Sequence, residues 1–273
     1  MTILNGIKIV NLSVNLPGPA AAQRLSRMGA DVVKVEPPAG DPMETYCADW
    51  YRAMAFGHTV IKLDLKLQEG KRVLLDLLDD ADVLITATRP SAMHRLGLDW
   101  STLQQQFPKL CQVAIVGYPA PRDNEAGHDL TYQASMRLID PPQMPRTLLS
   151  DMAGAERTIS AALGLLYNRE RSGAGGHEIV ALSEAVAAFA EPLQFGCTLP
   201  GASLGGGIPE YNIYKTMDGW VAVAALETHF KNRLEDALHV GTPEEYRDAF
   251  AGQSSAYWQE WGKQLDVPIE TVR

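Results

Sequence analysis

Hydrophobic residues in the first half of the chain fall in short runs, separated by stretches with helical spacing. Runs rich in β-branched residues predict buried strands at residues 7–12, 31–35, 59–63, 83–86 and 110–116. Apolar residues at helical spacing predict helices at 20–28, 69–78 and 101–107. Strands that alternate with helices are typical of a doubly wound α/β domain with a parallel sheet and right-handed crossovers.

The second half of the chain begins with a longer helical pattern. Residues 151–167 are rich in Ala and Leu and lead to Arg169, Arg171 and Gly173, which predicts a helix with a cationic last turn and a glycine stop. A strand at 177–181 and an apolar helix at 183–195 follow. Residues 210–216 and 220–225 alternate as the strands of a hairpin that turns at 217–219.

These patterns predict a division of the chain into a large and a small domain. We expect the large α/β domain to cover residues 1–200. A smaller α+β domain is expected over 201–245, after the glycine-rich stretch 201–207. We expect residues 246–273 to form a C-terminal segment that returns toward the large domain.

Composition excludes several classes of function. A net charge of −9 and a pI near 5.2 disfavour nucleic-acid binding. Cysteines are few and widely spaced, and no closely paired Cys or His is present, so we expect reduced thiols and no metal site. The first turn lacks Gly-x-Gly-x-x-Gly, which disfavours a dinucleotide cofactor. Without a leader or a long apolar run, the protein is expected to be soluble and cytoplasmic, with no membrane partner.

Two residues stand out as candidates for chemistry. His128 lies in the segment Gly-His-Asp-Leu-Thr-Tyr, and Asp151 lies at the start of the long apolar helix. An imidazole and a carboxylate are the side chains best suited to move a carbon-bound proton near neutral pH. A structural alternative is that Asp151 is a helix N-cap and that His128 is an ordinary loop histidine. The residues alone leave both interpretations open.

A family resemblance rests on many short segments in a fixed order: 6–13, 17–19, 28–38, 40–42, 63–66, 89–90, 95–98, 127–129, 151, 171–176, 205–209 and 225–227. These segments resemble the family III CoA-transferases and, more closely, the α-methylacyl-CoA racemases that share their fold. The resemblance implies an enzyme that acts on an acyl-CoA thioester, with CoA as part of the substrate and no separate cofactor. It also implies an interlocked homodimer.

The resemblance gives the catalytic residues two alternative roles. In a racemase, His128 and Asp151 would be the proton-transfer pair and Glu227 would complete the site. In a CoA-transferase, the Asp151 carboxylate would attack the thioester carbonyl and carry CoA as an aspartyl thioester, which needs no histidine. The presence of His128 and Glu227 together favours the racemase, with a catalytically silent CoA-binding relative as a third alternative.

Candidate CoA contacts lie after the strands of the large domain. Arg89 and Arg95 follow the fourth strand, where open α/β sheets bind ligands, and guanidinium groups suit phosphate; the alternative is that both are solvated rim charges. The resemblance places the adenosine near Glu36 and Pro37.

The chain departs from the family pattern in two places. Residues 55–58 read Ala-Phe-Gly-His where the family has Asn-Arg-Gly-Lys, and the small domain is shorter than in the family.

Overall fold

The computed structural model describes residues 2–272 and divides into two compact units, with the division between Ala190 and Glu191. The first unit contains the predicted α/β domain. The second unit contains the hairpin and the remainder of the chain.

Six strands form one parallel sheet in the first unit, in the order β3-β2-β1-β4-β5-β6. Their bounds are β1 Lys8–Asn11, β2 Asp31–Glu36, β3 Thr59–Lys62, β4 Val83–Thr86, β5 Cys111–Val116 and β6 His177–Ala181. This arrangement confirms the predicted doubly wound fold. The strand order reverses between β1 and β4, and ligands bind at the carboxyl edge near such a reversal in open α/β sheets.

Helices cover both faces of this sheet. They are α1 Pro17–Arg27, α2 Met43–Tyr46, α3 Ala48–Ala55, α4 Gln68–Leu78, α5 Pro90–Leu96, α6 Trp100–Gln106, α7 Asp129–Ser135, α8 Leu149–Ser172 and α9 Leu182–Gln194, the last of which crosses the division. The long α8 ends at Gly173, whose φ of 75° supplies the predicted left-handed stop.

The core of the first unit follows from the alternation of side chains along the buried strands. Ile9 and Ile85 belong to a cluster that also contains residues of α1 and α8. Val10 and Leu84, each one position away, belong to a second cluster with residues of α4 and α6. Because successive side chains of a strand point to opposite faces, the central strands are hydrophobic on both sides.

The described part of the second unit has a three-stranded antiparallel sheet in the order β7-β8-β9, three α-helices besides the end of α9, and a short π-helical segment at Ser203–Gly207. The bounds are β7 Tyr211–Lys215, β8 Trp220–Ala224, α10 Thr228–Leu238, α11 Pro243–Ala251, α12 Ser255–Leu265 and β9 Ile269–Val272. The predicted hairpin is β7 and β8.

The C-terminal segment belongs to the second unit, where β9 pairs with β8. The expected return of residues 246–273 toward the large domain stays a prediction. Trp258 and Ile269 share a buried cluster with Val221, so the tail supplies part of this unit's core. A four-residue strand at the end of the chain is too short for its periodicity to be recognised in the sequence.

Across the part of the chain that the structure describes, no helix is both long enough and apolar enough to cross a membrane.

Candidate active site

A cavity of about 260 Å³ opens at the carboxyl edge of the sheet in the first unit. Its walls come from the loop after β1, the ends of β4 and β5, the segment before α7 and the first turn of α8. His128, Asp151 and Arg89 all line this cavity. The structure thus brings together three of the predicted site residues, which are far apart in the sequence.

Asp151 is the third residue of α8, so its interpretation as an N-cap is wrong. Asp129 caps the helix instead. Its Oδ1 accepts hydrogen bonds from the amides of Ser150, at 2.7 Å, and Asp151, at 3.1 Å. Among residues 2–272, no hydrogen bond or ion pair is formed by the Asp151 carboxylate itself. The carboxylate therefore remains available to the cavity.

The environment of Asp151 changes its acidity. Burial raises the pKa of Asp151 to about 7, and the nearby negative charge of Asp129 adds to the effect. Removal from water disfavours the ionised form of a carboxyl, and a like charge does the same. A carboxyl that titrates near neutrality can both accept and return a proton, which is what a general acid-base catalyst requires.

His128 precedes α7 and faces the same cavity. The residue is exposed and has extended backbone angles, and its amide donates to Thr131 Oγ1 at 3.1 Å. This turn fixes the backbone of His128 at the rim of the cavity. The imidazole and the Asp151 carboxylate are two groups that can exchange protons with a single bound molecule.

Comparison with known proteins connects this geometry to a family. The model of CoA-transferase family III matches residues 4–273. The chain belongs to this family.

Curated relatives in the family carry out two kinds of reaction. The α-methylacyl-CoA racemase of Mus musculus is 31% identical and is matched over 96% of this chain and 71% of its own length. The succinyl-CoA–D-citramalate CoA-transferase of Chloroflexus aurantiacus is 29% identical, over 88% of this chain and 65% of its own length. The chain is therefore an enzyme of the racemase and CoA-transferase group, and it spans roughly two thirds of the length of these relatives.

Solved structures support the fold. A hypothetical protein from Mycobacterium tuberculosis superposes with a TM-score of 0.86, at 24% identity, over 99% of this chain and 85% of its own. A CaiB/BaiF family protein from Brucella suis gives a TM-score of 0.83 at 21% identity, over 100% of this chain and 84% of its own. Both units of the family III enzyme thus have counterparts in known structures.

The two arginines predicted to contact CoA lie on different cavities of the family III fold. Arg89 lines the cavity of His128 and Asp151. Arg95, on α5, lines a separate groove of about 430 Å³ together with Lys66 and Lys71. Sequence reasoning did not assign a role to either lysine. Their position beside Arg95 gives the groove three cationic side chains.

Glu36 has a structural environment that the sequence did not indicate. Its carboxylate is 1% exposed, lies 3.0 Å from Lys34 Nζ and accepts a hydrogen bond of 2.8 Å from the hydroxyl of Tyr51. Lys34 Nζ also contacts Asp41 Oδ2 at 2.5 Å. The Glu36 side chain is thus engaged inside the unit, whereas the neighbouring Pro37 is exposed.

Glu227 belongs to the second unit, where it is the N-cap residue of α10. It is exposed, and its side chain does not cap the helix. Its role beside His128 stays a prediction.

Sequence reasoning missed two buried residues of the motif that contains His128. Asp129 is 5% exposed, and besides capping α8 it accepts a hydrogen bond of 2.6 Å from Gln133 Nε2. Tyr132 is 1% exposed and lines the cavity. The available signal was their spacing, because residues at i, i+3 and i+4 share one face of a helix.

Proposed function

We propose that this enzyme transfers a proton at the α-carbon of a 2-methylacyl-CoA thioester, as a racemase does. The observation that supports the proposal is the cavity that His128 and Asp151 both line, with the pKa of Asp151 raised to about 7. A thioester acidifies its α-proton. One of the two groups removes this proton from one face of the carbon, and the other returns a proton to the opposite face.

In this proposal the first turn of α8 positions Asp151 but does not stabilise the enolate. A helix N-terminus can stabilise an enolate oxygen through its free amides. Here the amides of Ser150 and Asp151 already donate to Asp129. The helix therefore orients Asp151, and stabilisation of the enolate falls to another group of the cavity.

CoA transfer is the second candidate function. It is favoured by the similar identities of the racemase and transferase relatives, 31% and 29%. In that reaction Asp151 attacks the thioester carbonyl and CoA is carried on its carboxylate. It uses the same cavity but gives the imidazole of His128 no task. A silent CoA-binding relative is the remaining alternative, and a poorly placed Glu227 would be its cause.

Binding of the CoA portion is assigned to the cationic groups. Arg89 would hold phosphate near the reactive cavity, and Arg95 would hold it in the groove that also contains Lys66 and Lys71. Glu36 and Pro37 stay the candidates near the adenosine. An interlocked homodimer in which Glu227 completes the site, and a cytoplasmic location, are part of the same proposal.

Incubation with a single enantiomer of a 2-methylacyl-CoA in deuterated buffer tests the proposal. We expect one deuterium at the α-carbon and loss of enantiomeric excess, detected by mass spectrometry and chiral chromatography. His94→Ala, an exposed histidine on α5, serves as the control that keeps full activity. Trapping of an acylated Asp151 by hydroxylamine, without deuterium incorporation, would favour the transferase and contradict the proposal. If the protein binds CoA but shows neither deuterium incorporation nor a trapped Asp151, both proton transfer and CoA transfer would be excluded.

A further inference from the structure

We propose that the hydroxyl of Tyr132 donates a hydrogen bond to the thioester oxygen of the bound acyl-CoA and stabilises the negative charge that develops there. This inference rests on the proposed acyl-CoA substrate. It applies equally to proton transfer and to CoA transfer, because both reactions move an electron pair onto that oxygen.

Two glycines form a slot around the phenol oxygen of Tyr132. A Cβ built on Gly117 would lie 2.3 Å from the Tyr132 hydroxyl, and one on Gly127 would lie 2.5 Å from it. Gly117 follows β5 and Gly127 precedes His128, and both line the cavity. Two separate segments therefore leave room for the same oxygen atom. The slot holds the hydroxyl beside the cavity that His128 and Asp151 also line.

The hydroxyl of Tyr132 is available to a ligand. Tyr132 is 1% exposed and lines the cavity, and within residues 2–272 its hydroxyl makes no hydrogen bond. Buried O–H groups are normally hydrogen-bonded, so an unused donor on a cavity wall is suited to a ligand. Its ring is held by an edge contact with Tyr118, with 5.2 Å between the ring centroids.

The Tyr132 phenol stays protonated. Burial raises the pKa of Tyr132 to about 12, the neighbouring Tyr118 and Asp151 add to the effect, and Arg89 opposes it. The phenol therefore keeps its proton throughout the physiological range and acts as a donor.

The step is balanced without any further reactant. When Asp151 or His128 takes the α-proton, the electrons of the broken C–H bond form the enolate and negative charge moves onto the thioester oxygen. That oxygen accepts a stronger hydrogen bond from Tyr132, whose O–H bond stays intact. Because Asp129 occupies the amides of Ser150 and Asp151, those two donors cannot serve the oxygen.

Tyr132→Phe removes the donor and keeps the ring. We expect the turnover number for α-deuterium exchange, or for CoA transfer if that is the reaction, to fall on the order of a hundredfold, with KM unchanged. The melting temperature should not fall, because the hydroxyl makes no hydrogen bond with the described part of the chain. Tyr118→Phe removes a hydroxyl from the ring that packs on Tyr132, and it should leave the turnover number unchanged. Wild-type turnover in Tyr132→Phe would overturn the inference.

A ligand that cannot undergo proton transfer separates this inference from the proposed reaction. 2,2-Dimethylpropanoyl-CoA has no α-proton, and ¹³C at its carbonyl reports hydrogen bonding to the thioester oxygen. We expect binding to move the carbonyl resonance downfield in the wild type and in Tyr118→Phe, but not in Tyr132→Phe or in Gly127→Ala, whose methyl group displaces the phenol. A shift that persists without the hydroxyl would overturn the inference. A Tyr132-dependent shift in a protein without exchange or transfer would reject only the proposed function.

Discussion

Two groups of carboxylates in the first unit, each of them at least partly buried, differ in how their charge is balanced. In the first group, Glu36 and Asp41 both contact the ammonium of Lys34. In the second, Asp129 and Asp151 lie close together without an ion pair to a cation among residues 2–272, and the pKa of Asp151 is raised to about 7. Both groups lie near the carboxyl ends of strands, so their position in the fold does not explain the difference in charge balance.

The comparison teaches that the partner of a buried carboxylate decides its role. Asp41 also accepts hydrogen bonds of 2.9 Å from the amides of Asn15 and Met43, so the group around Lys34 fixes the loop that forms one wall of the cavity. The pair at the start of α8 keeps one carboxyl near its titration point. We expect the first group to contribute to stability and the second to chemistry.

Lys34→Met should have the largest effect, because it leaves two buried carboxylates without their cation. Breaking a buried ion pair in this way typically costs about 3–5 kcal/mol. We expect a loss of that size in the free energy of unfolding, measured by urea denaturation at pH 7. Lys109→Met, an exposed lysine, should change it little. A loss below about 1 kcal/mol would mean that Lys34 does not balance the group.

Asp151→Asn should stabilise the protein at high pH. The folded pKa of Asp151, about 7, lies above its ordinary value of 3.8. The folded state therefore holds a proton that the unfolded state has lost, and the wild type loses stability as the pH rises from 4 to 7. With solvent screening, we expect the variant to gain about 1–3 kcal/mol over the wild type at pH 8 and little at pH 4. Equal stability at both pH values would contradict the raised pKa.

His58→Gln should change the free energy of unfolding less than Asp151→Asn does. Its effect should grow as the pH falls, whereas that of Asp151→Asn grows as the pH rises. Burial lowers the pKa of His58 to about 4, and the charge of Lys34 adds to the effect. Between pH 6.5 and 4 the imidazole is protonated in the unfolded state but not in the folded state, so the wild type loses stability as the pH falls. The variant should resist this loss by about 1 kcal/mol in denaturation experiments at pH 4. Identical acid sensitivity of the two proteins would exclude the lowered pKa.

Asp129→Asn should have the smallest effect on activity, because an amide oxygen can still cap α8, although the new NH2 group faces Gln133 Nε2. It removes one negative charge beside Asp151, so the pKa of Asp151 should fall. We expect the acid limb of the exchange rate to move to lower pH for the enantiomer whose proton Asp151 removes. Asp140→Asn, an exposed residue, should leave the profile in place. An unmoved acid limb in Asp129→Asn would show that burial alone sets the pKa.

The sequence predicted the parts of the structure that depend on local pattern. The parallel strands and the glycine stop of α8 follow from periodicity and turn chemistry. The burial of Glu36 against Lys34, the capping of α8 by Asp129 and the pairing of β9 with β8 depend on residues that are distant in the sequence. The spacing of residues along the chain carries no information about such contacts. The motif residues could therefore be identified from the sequence, but the residues that contact them could not.

Exchange measured separately with each enantiomer of a 2-methylacyl-CoA tests the central claim most directly. If His128 and Asp151 serve opposite faces of the α-carbon, His128→Ala should lose deuterium exchange with one enantiomer and keep it with the other. Asp151→Asn should show the reverse pattern, and neither variant should racemise. The account would be contradicted if Asp151→Asn abolished turnover while His128→Ala behaved as the wild type with both enantiomers.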